Sequence, residues 1–185
     1  LTCVKRHLLF LVPAALICAA AAYVGAVRNH TAGHDVIQFL DVAWRILNGQ
    51  RPHVDFYSPM GPLAYLFTAA GLALSGLRVE GIGLGNAMFG AAVGAWAYRL
   101  ALNRMSQAAA SLTGVFLVLL AAAPQPLGAG PASLSHAMYY NRFGYALLSL
   151  ILLEVLGEPV PVEKGARRTW LSGLSTGLAC GLLLQ

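Results

Sequence analysis

Long apolar runs separated by short polar breaks set the pattern of this chain. The first occupies residues 7–27, just after Lys5-Arg6, and others occupy 62–77, 81–98, 107–123, 143–156 and 169–185. A bilayer core about 30 Å thick takes roughly 20 helical residues at about 1.5 Å each, so the longer runs are of spanning length. The Ala-rich first run also has the outline of a signal peptide. It exceeds the roughly 7–15 residues of a signal core, however, and is expected to persist as an uncleaved helix.

Residues 34–48 follow a different rhythm. Val36, Leu40, Ala43, Trp44 and Leu47 make an apolar stripe, and His34, Gln38, Asp41, Arg45 and Asn48 a polar one. The pattern predicts an amphipathic helix in the membrane interface, stopped at Asn48-Gly49, with Trp44 at headgroup level. The stretch from Arg51 to Pro62 is too rich in proline to continue as helix.

Composition sharpens this picture. Of 185 residues, 58% are hydrophobic and 10% charged, against about a quarter charged in soluble domains. The expected class is an all-α, polytopic integral membrane protein. The net charge of +5 invites a nucleic-acid reading. The basic residues are scattered singly between apolar runs, so no nucleic-acid face forms and the excess reports topology instead. Cys3, Cys18 and Cys180 lie too far apart for a metal motif or a disulfide framework. The chain opens without methionine and stops inside an apolar run, as an N-terminal piece of a longer protein would.

Loop charge chooses among topologies. If all six runs cross from a cytoplasmic N-terminus, only Lys5, Arg6, Arg78 and Arg142 stay inside, against the positive-inside rule. If run 62–77 does not cross, Lys5, Arg6, Arg99, Arg104, Lys164, Arg167 and Arg168 all fall inside. That run is short and follows a Pro-Met-Gly-Pro break, as re-entrant or interfacial segments do. The preferred arrangement is about five spans plus two interfacial helices in an external segment at 28–80, with loop 124–142 on the same side. Gly81, Gly85, Gly90 and Gly94 are expected to let helices approach closely. Glu154, near the end of its run, is a candidate intramembrane carboxylate, with the interface just before Gly157-Glu158-Pro159 as the preferred placement.

Candidate chemistry gathers in the external segment. It holds every aspartate of the chain, Asp35, Asp41 and Asp55, and His30, His34 and His53 of its five histidines. Asp41 and Arg45, at i,i+4, are an ordinary surface pair. Asp35 stands in the first turn of its helix, either as a carboxylate favoured by the helix dipole or as a catalytic or metal-binding group. Arg142, beside Asn141, suits a phosphate through a bidentate guanidinium, or anchors a lipid headgroup together with Tyr139 and Tyr140.

On these residues the chain resembles the membrane glycosyltransferases of the GT-C type, which include protein O-mannosyltransferases and the aminoarabinose transferases of lipid A. The resemblance lies in the first helix, His34-Asp35 opening an interfacial helix, Asn48-Gly49, the Pro52–Phe56 loop, and Gly61-Pro62-Leu63-Ala64-Tyr65 opening a second interfacial helix. Arg78 stands where the family often carries an arginine. The family's acidic pair is His34-Asp35 here, which leaves the carboxylate to Asp35.

The resemblance implies transfer of a sugar from a polyprenyl-phosphate donor to an acceptor hydroxyl on the external face of the cell membrane. Asp35 would be the general base, or would hold a divalent metal that activates the hydroxyl; no other cofactor is implied. His34 and Asp55 would orient the acceptor or a metal. Asn141 and Arg142, with Arg78 as a further candidate, would meet the donor phosphate. Membrane lipid and the polyprenyl-phosphate donor are then the partners. A transporter subunit would carry ionisable residues within its spans. A non-catalytic membrane scaffold would have no reason to bring Asp35, Asp55 and Arg142 together.

Overall fold

The computed structural model describes residues 2–27, 33–124 and 139–155, with positions 173, 174, 176 and 177. Expectations that fall elsewhere, including most of run 169–185, Arg28, His30, Lys164, Arg167 and Arg168, lie outside the described residues. Within them the regular structure is entirely helical: α1 Thr2–Val27, α2 Gly33–Leu47, α3 Pro62–Leu74, α4 Gly81–Ala101, α5 Gln107–Ala122 and α6 Tyr139–Val155.

Local chemistry explains the helix ends. Gly49, at φ 84°, closes α2; its N–H reaches Ile46 O at 3.0 Å, and Gln50 N–H reaches Arg45 O at 3.0 Å. These are the paired bonds of a Schellman stop. The same device closes α3, through Gly76 N–H to Ala73 O at 3.3 Å and Leu77 N–H to Leu72 O at 2.7 Å. Run 62–77 therefore yields a helix of 13 residues, roughly 20 Å long, which is short of the bilayer core. Pro62 starts α3 at a position where its missing N–H needs no partner. Ser106 caps α5 by accepting from Ala109 N.

Helix α4 is the hub, touching α1, α3, α5 and α6. Its glycines divide between two faces. Gly81 and Gly85 meet α3, where a methyl on Gly81 would lie 2.6 Å from Gly71 O and one on Gly85 would lie 2.7 Å from the Phe67 carbonyl carbon. Gly90 and Gly94 meet α5, where added methyls would lie 2.9 Å from Ala122 Cβ and 3.0 Å from Gly114 O. Nine residues from Gly81 to Gly90 turn a helix by about two and a half turns, which puts the second pair on the opposite face.

Contacts give each helix its direction. Phe10 stacks on Tyr98 at 4.4 Å, and Ala21 clusters with Ala87 and Ala122, so α1 runs against α4 and along α5. Phe89 lies 3.8 Å from Phe143, and Arg104 meets Glu154 at 3.7 Å, so α6 runs along α4. One end of the bundle gathers the end of α1, the turn between α3 and α4, the end of α5 and the start of α6. The opposite end holds His7, Arg99, Arg104 and Glu154.

Large apolar side chains stand both inside and outside the bundle, with Phe39, Tyr65, Phe89 and Phe143 buried in the core. Alanine and glycine fill much of the helix contacts, while Leu9 and Leu16 of α1, Leu112 and Phe116 of α5, and Tyr145 and Val155 of α6 are exposed. Among the described residues one stretch, His7–Val24, meets the requirement of length and apolarity for crossing a membrane. Helices α3, α5 and α6 are shorter, with 13, 16 and 17 residues.

Candidate functional site

Helix α2 carries the first group of candidates, and its faces differ from the two-stripe expectation. Val36, Phe39, Val42 and Ala43 are buried, whereas Trp44 and Leu47 are exposed, as is Ile37. The predicted apolar stripe is corrected accordingly. One arc packs inward against the cluster that includes Tyr65 of α3, and Ala43 packs against Ala69 and Leu72. A second arc, with Ile37, Trp44 and Leu47, faces outward beside the polar arc of His34, Asp41 and Arg45. The parallel seat of α2 on α3 is what divided the apolar residues into two sets.

Asp35 lies on the packed arc, at i−4 and i−7 from Phe39 and Val42. Its side chain is 28% exposed, against 50% for Asp41 and 41% for Asp55. His34 Nδ1 stands 3.8 Å from its carboxylate on the exposed side. Asp41 pairs with Arg45 at 2.8 Å, the i,i+4 contact expected from spacing.

Asp55 is engaged in its own turn. Its carboxylate accepts from Arg51 N–H at 2.6 Å and lies 3.7 Å from Arg51 Nε. Its N–H donates to Arg51 O at 2.9 Å, and His53 N–H donates to Phe56 O at 2.9 Å. His53 sits at φ 64°, a left-handed conformation that the short turn demands. The loop is fastened below by the Ser58 hydroxyl, hydrogen-bonded to Met60 O at 3.0 Å and to the Tyr65 hydroxyl at 2.8 Å. Gln38 Nε2 donates to that same tyrosine at 3.4 Å. Burial pushes the Tyr65 hydroxyl pKa up, against the pull of its bonds to Ser58, Gln38 and Met60.

Arg78 is exposed in the turn between α3 and α4, 3.5 Å from Glu80. Asn141 and the half-buried Arg142 stand in the first turn of α6. Arg142 Nη1 donates to Ala123 O at the end of α5, and its guanidinium lies over the Tyr139 ring at 5.9 Å. A guanidinium has five N–H donors, so this contact leaves a fork available for an anion. Among the described residues no carboxylate lies within ion-pair range of Arg142.

The fold places His34 and Asp35 at the start of α2, beside the start of α3, whose far end leads to Arg78, while Asn141 and Arg142 stand at the start of α6 next to the end of α5. Val36 and Phe39 beside Asp35, and Tyr139 and Phe143 beside Arg142, belong to one buried cluster that runs through the bundle as far as Ala97 and Leu150. The Asp55 carboxylate is turned back on Arg51. Among the described residues no three His, Cys, Asp or Glu side chains are placed to hold a metal.

Two polar features escape sequence reasoning. Asn86 is 2% exposed within α4 and bonds to Tyr139; a single amide inside an apolar run was the available signal. The second is the pairing of Glu154 with Arg104, which are 6% and 16% exposed. Arg104 also donates to Leu100 O at 3.2 Å and Glu154 O at 3.3 Å, placing a positive charge at the C-terminal ends of α4 and α6. Glu154 is thus drawn into a buried clasp, where the sequence placed it at an interface. Compared with known proteins, the chain matches no family model, no curated protein and no solved structure.

Proposed function

We propose that this chain is a multi-pass membrane protein that works as a GT-C type glycosyltransferase, moving a sugar from a polyprenyl-phosphate donor to an acceptor hydroxyl outside the cell membrane. The membrane reading is supported by the large apolar side chains directed outward from α1, α5 and α6 while small residues fill the helix contacts. It is supported as well by the separation of Arg99 and Arg104 from Arg45, Arg51, Arg78 and Arg142 to opposite ends of the bundle.

The observation that carries the enzymatic reading is a pair of sheltered charges, Asp35 on the packed arc of α2 and Arg142 at the start of α6, each flanked by residues of one buried cluster. Asp35 is the most sheltered carboxylate of the external segment and opens α2, as Asn141 and Arg142 open α6. In the proposed reaction the acceptor hydroxyl attacks the anomeric carbon and loses its proton to Asp35. The carbon–oxygen bond to the lipid phosphate breaks. The departing polyprenyl phosphate takes the bonding pair, and its charge is stabilised by Arg142, with Arg78 as a second cation. His34 and Asn141 orient the two substrates.

The test is Asp35→Asn in the full chain, assayed in native membranes with a radiolabelled polyprenyl-phosphate sugar. Loss of a general base is expected to slow transfer by about 10²–10⁴-fold, with membrane insertion unchanged. Transfer at the unsubstituted rate would refute the assignment.

A further inference from the structure

At the start of α6 one buried tyrosine connects α4, α5 and Arg142. Tyr139 is 2% exposed. Its hydroxyl donates to Ala122 O at 3.3 Å, and the Asn86 side chain, itself 2% exposed, hydrogen-bonds to it from α4. The Tyr139 ring lies under the Arg142 guanidinium, whose Nη1 is held by Ala123 O on the next residue of the α5 end. An amide placed alone in an apolar helix is destabilising unless its partner is in place. The Asn86 contact therefore selects one rotamer of Tyr139, and the ring of that rotamer is the surface against which Arg142 rests.

We infer that Asn86 and Tyr139 are positioning residues that aim the free fork of Arg142 toward the phosphate of a lipid-linked substrate. This rests on the reading of Arg142 as a phosphate ligand. Neither residue touches the substrate; both act through the guanidinium. Simple helix glue is the competing role, and it differs in one respect. Glue would affect thermal stability and all ligands alike, whereas positioning affects only ligands that carry the phosphate.

The experiment uses the full chain in nanodiscs and two probes, a polyprenyl monophosphate and the uncharged polyprenol. Tyr139→Phe keeps the ring beneath Arg142 and removes the hydroxyl, and is expected to weaken binding of the phosphate probe by about 3–10-fold. Arg142→Gln is expected to weaken it by about 10–100-fold. Asn86→Ala should follow Tyr139→Phe, and none of the three should alter polyprenol binding. The double variant Tyr139→Phe/Arg142→Gln should bind no more weakly than Arg142→Gln alone, since Tyr139 then has nothing to aim.

Additive losses in the double variant would overturn the inference while leaving Arg142 as a ligand. Equal weakening of polyprenol, or a lowered melting temperature with phosphate affinity unchanged, would assign Asn86 and Tyr139 to packing alone. An Arg142→Gln chain that binds the phosphate probe as tightly as the unsubstituted protein would remove the site reading, and this inference with it.

Discussion

Tyr65 is fully buried, and its hydroxyl meets Ser58 and Gln38 at the junction of α2, the proline-rich loop and α3. Its raised pKa comes first from burial. Because the folded state favours the neutral phenol, the resulting stability is complete below the unfolded value of about pH 10 and is lost as pH rises toward the folded one. Melting temperature measured in detergent should fall as pH rises above about 10, and the fall should be shallower in Tyr65→Phe. Ser58→Ala should destabilise by about 1 kcal/mol at neutral pH. Asp35 and Asp55 differ at this scale as well. Both stood out by type and location, but the return of Asp55 to the Arg51 backbone depends on turn geometry that no spacing rule encodes.

Among the elements, the hairpin of α3 and α4 is the tightest contact. A methyl on Gly71 would stand 2.6 Å from Gly85 N, with backbone rather than a flexible side chain in its way. Gly71→Ala should therefore lower stability by about 1–3 kcal/mol or more, read as a shift in thermal melting. Gly49→Ala has open space around it but a φ of +84°, and should lower stability by only about 1 kcal/mol through backbone strain. Gly49 and its role as a stop were readable from Asn48-Gly49. The small-residue spacing along α4 was readable too, but the division of its glycines between α3 and α5 was not, because both helices offer glycine or alanine to the contact.

For the whole molecule, the two ends carry different clasps. Arg142 holds the end of α5, and Arg104 joins the ends of α4 and α6 through Glu154. Glu154→Gln would leave a buried guanidinium without its counter-charge, and a loss of about 3–5 kcal/mol is expected. The double change Arg104→Leu/Glu154→Leu should recover most of it, since an apolar pair needs no compensation; denaturation in detergent measures both. The proposed topology makes a separate prediction. Single cysteines placed at Gly76 and Asn141 should be labelled by an impermeant maleimide in intact cells, and one at Asn103 only after permeabilisation. Labelling of position 76 from the opposite side to 141 would rule out the non-crossing α3.

Helix class, most helix limits among the described residues, and the separation of Arg99 and Arg104 from Arg78 and Arg142 along the chain follow from the sequence alone. Apolar run length, the Schellman stops and the placement of arginine are local or one-dimensional properties. The tertiary structure decided which apolar face of α2 is covered, which neighbour each glycine serves, and where Asn86, Tyr65 and Glu154 find their partners. These depend on residues brought together from distant parts of the chain, as with Asn86 and Tyr139 or Arg104 and Glu154. Their pairing energy exists only after the helices pack, because a buried polar group is stable only beside its partner.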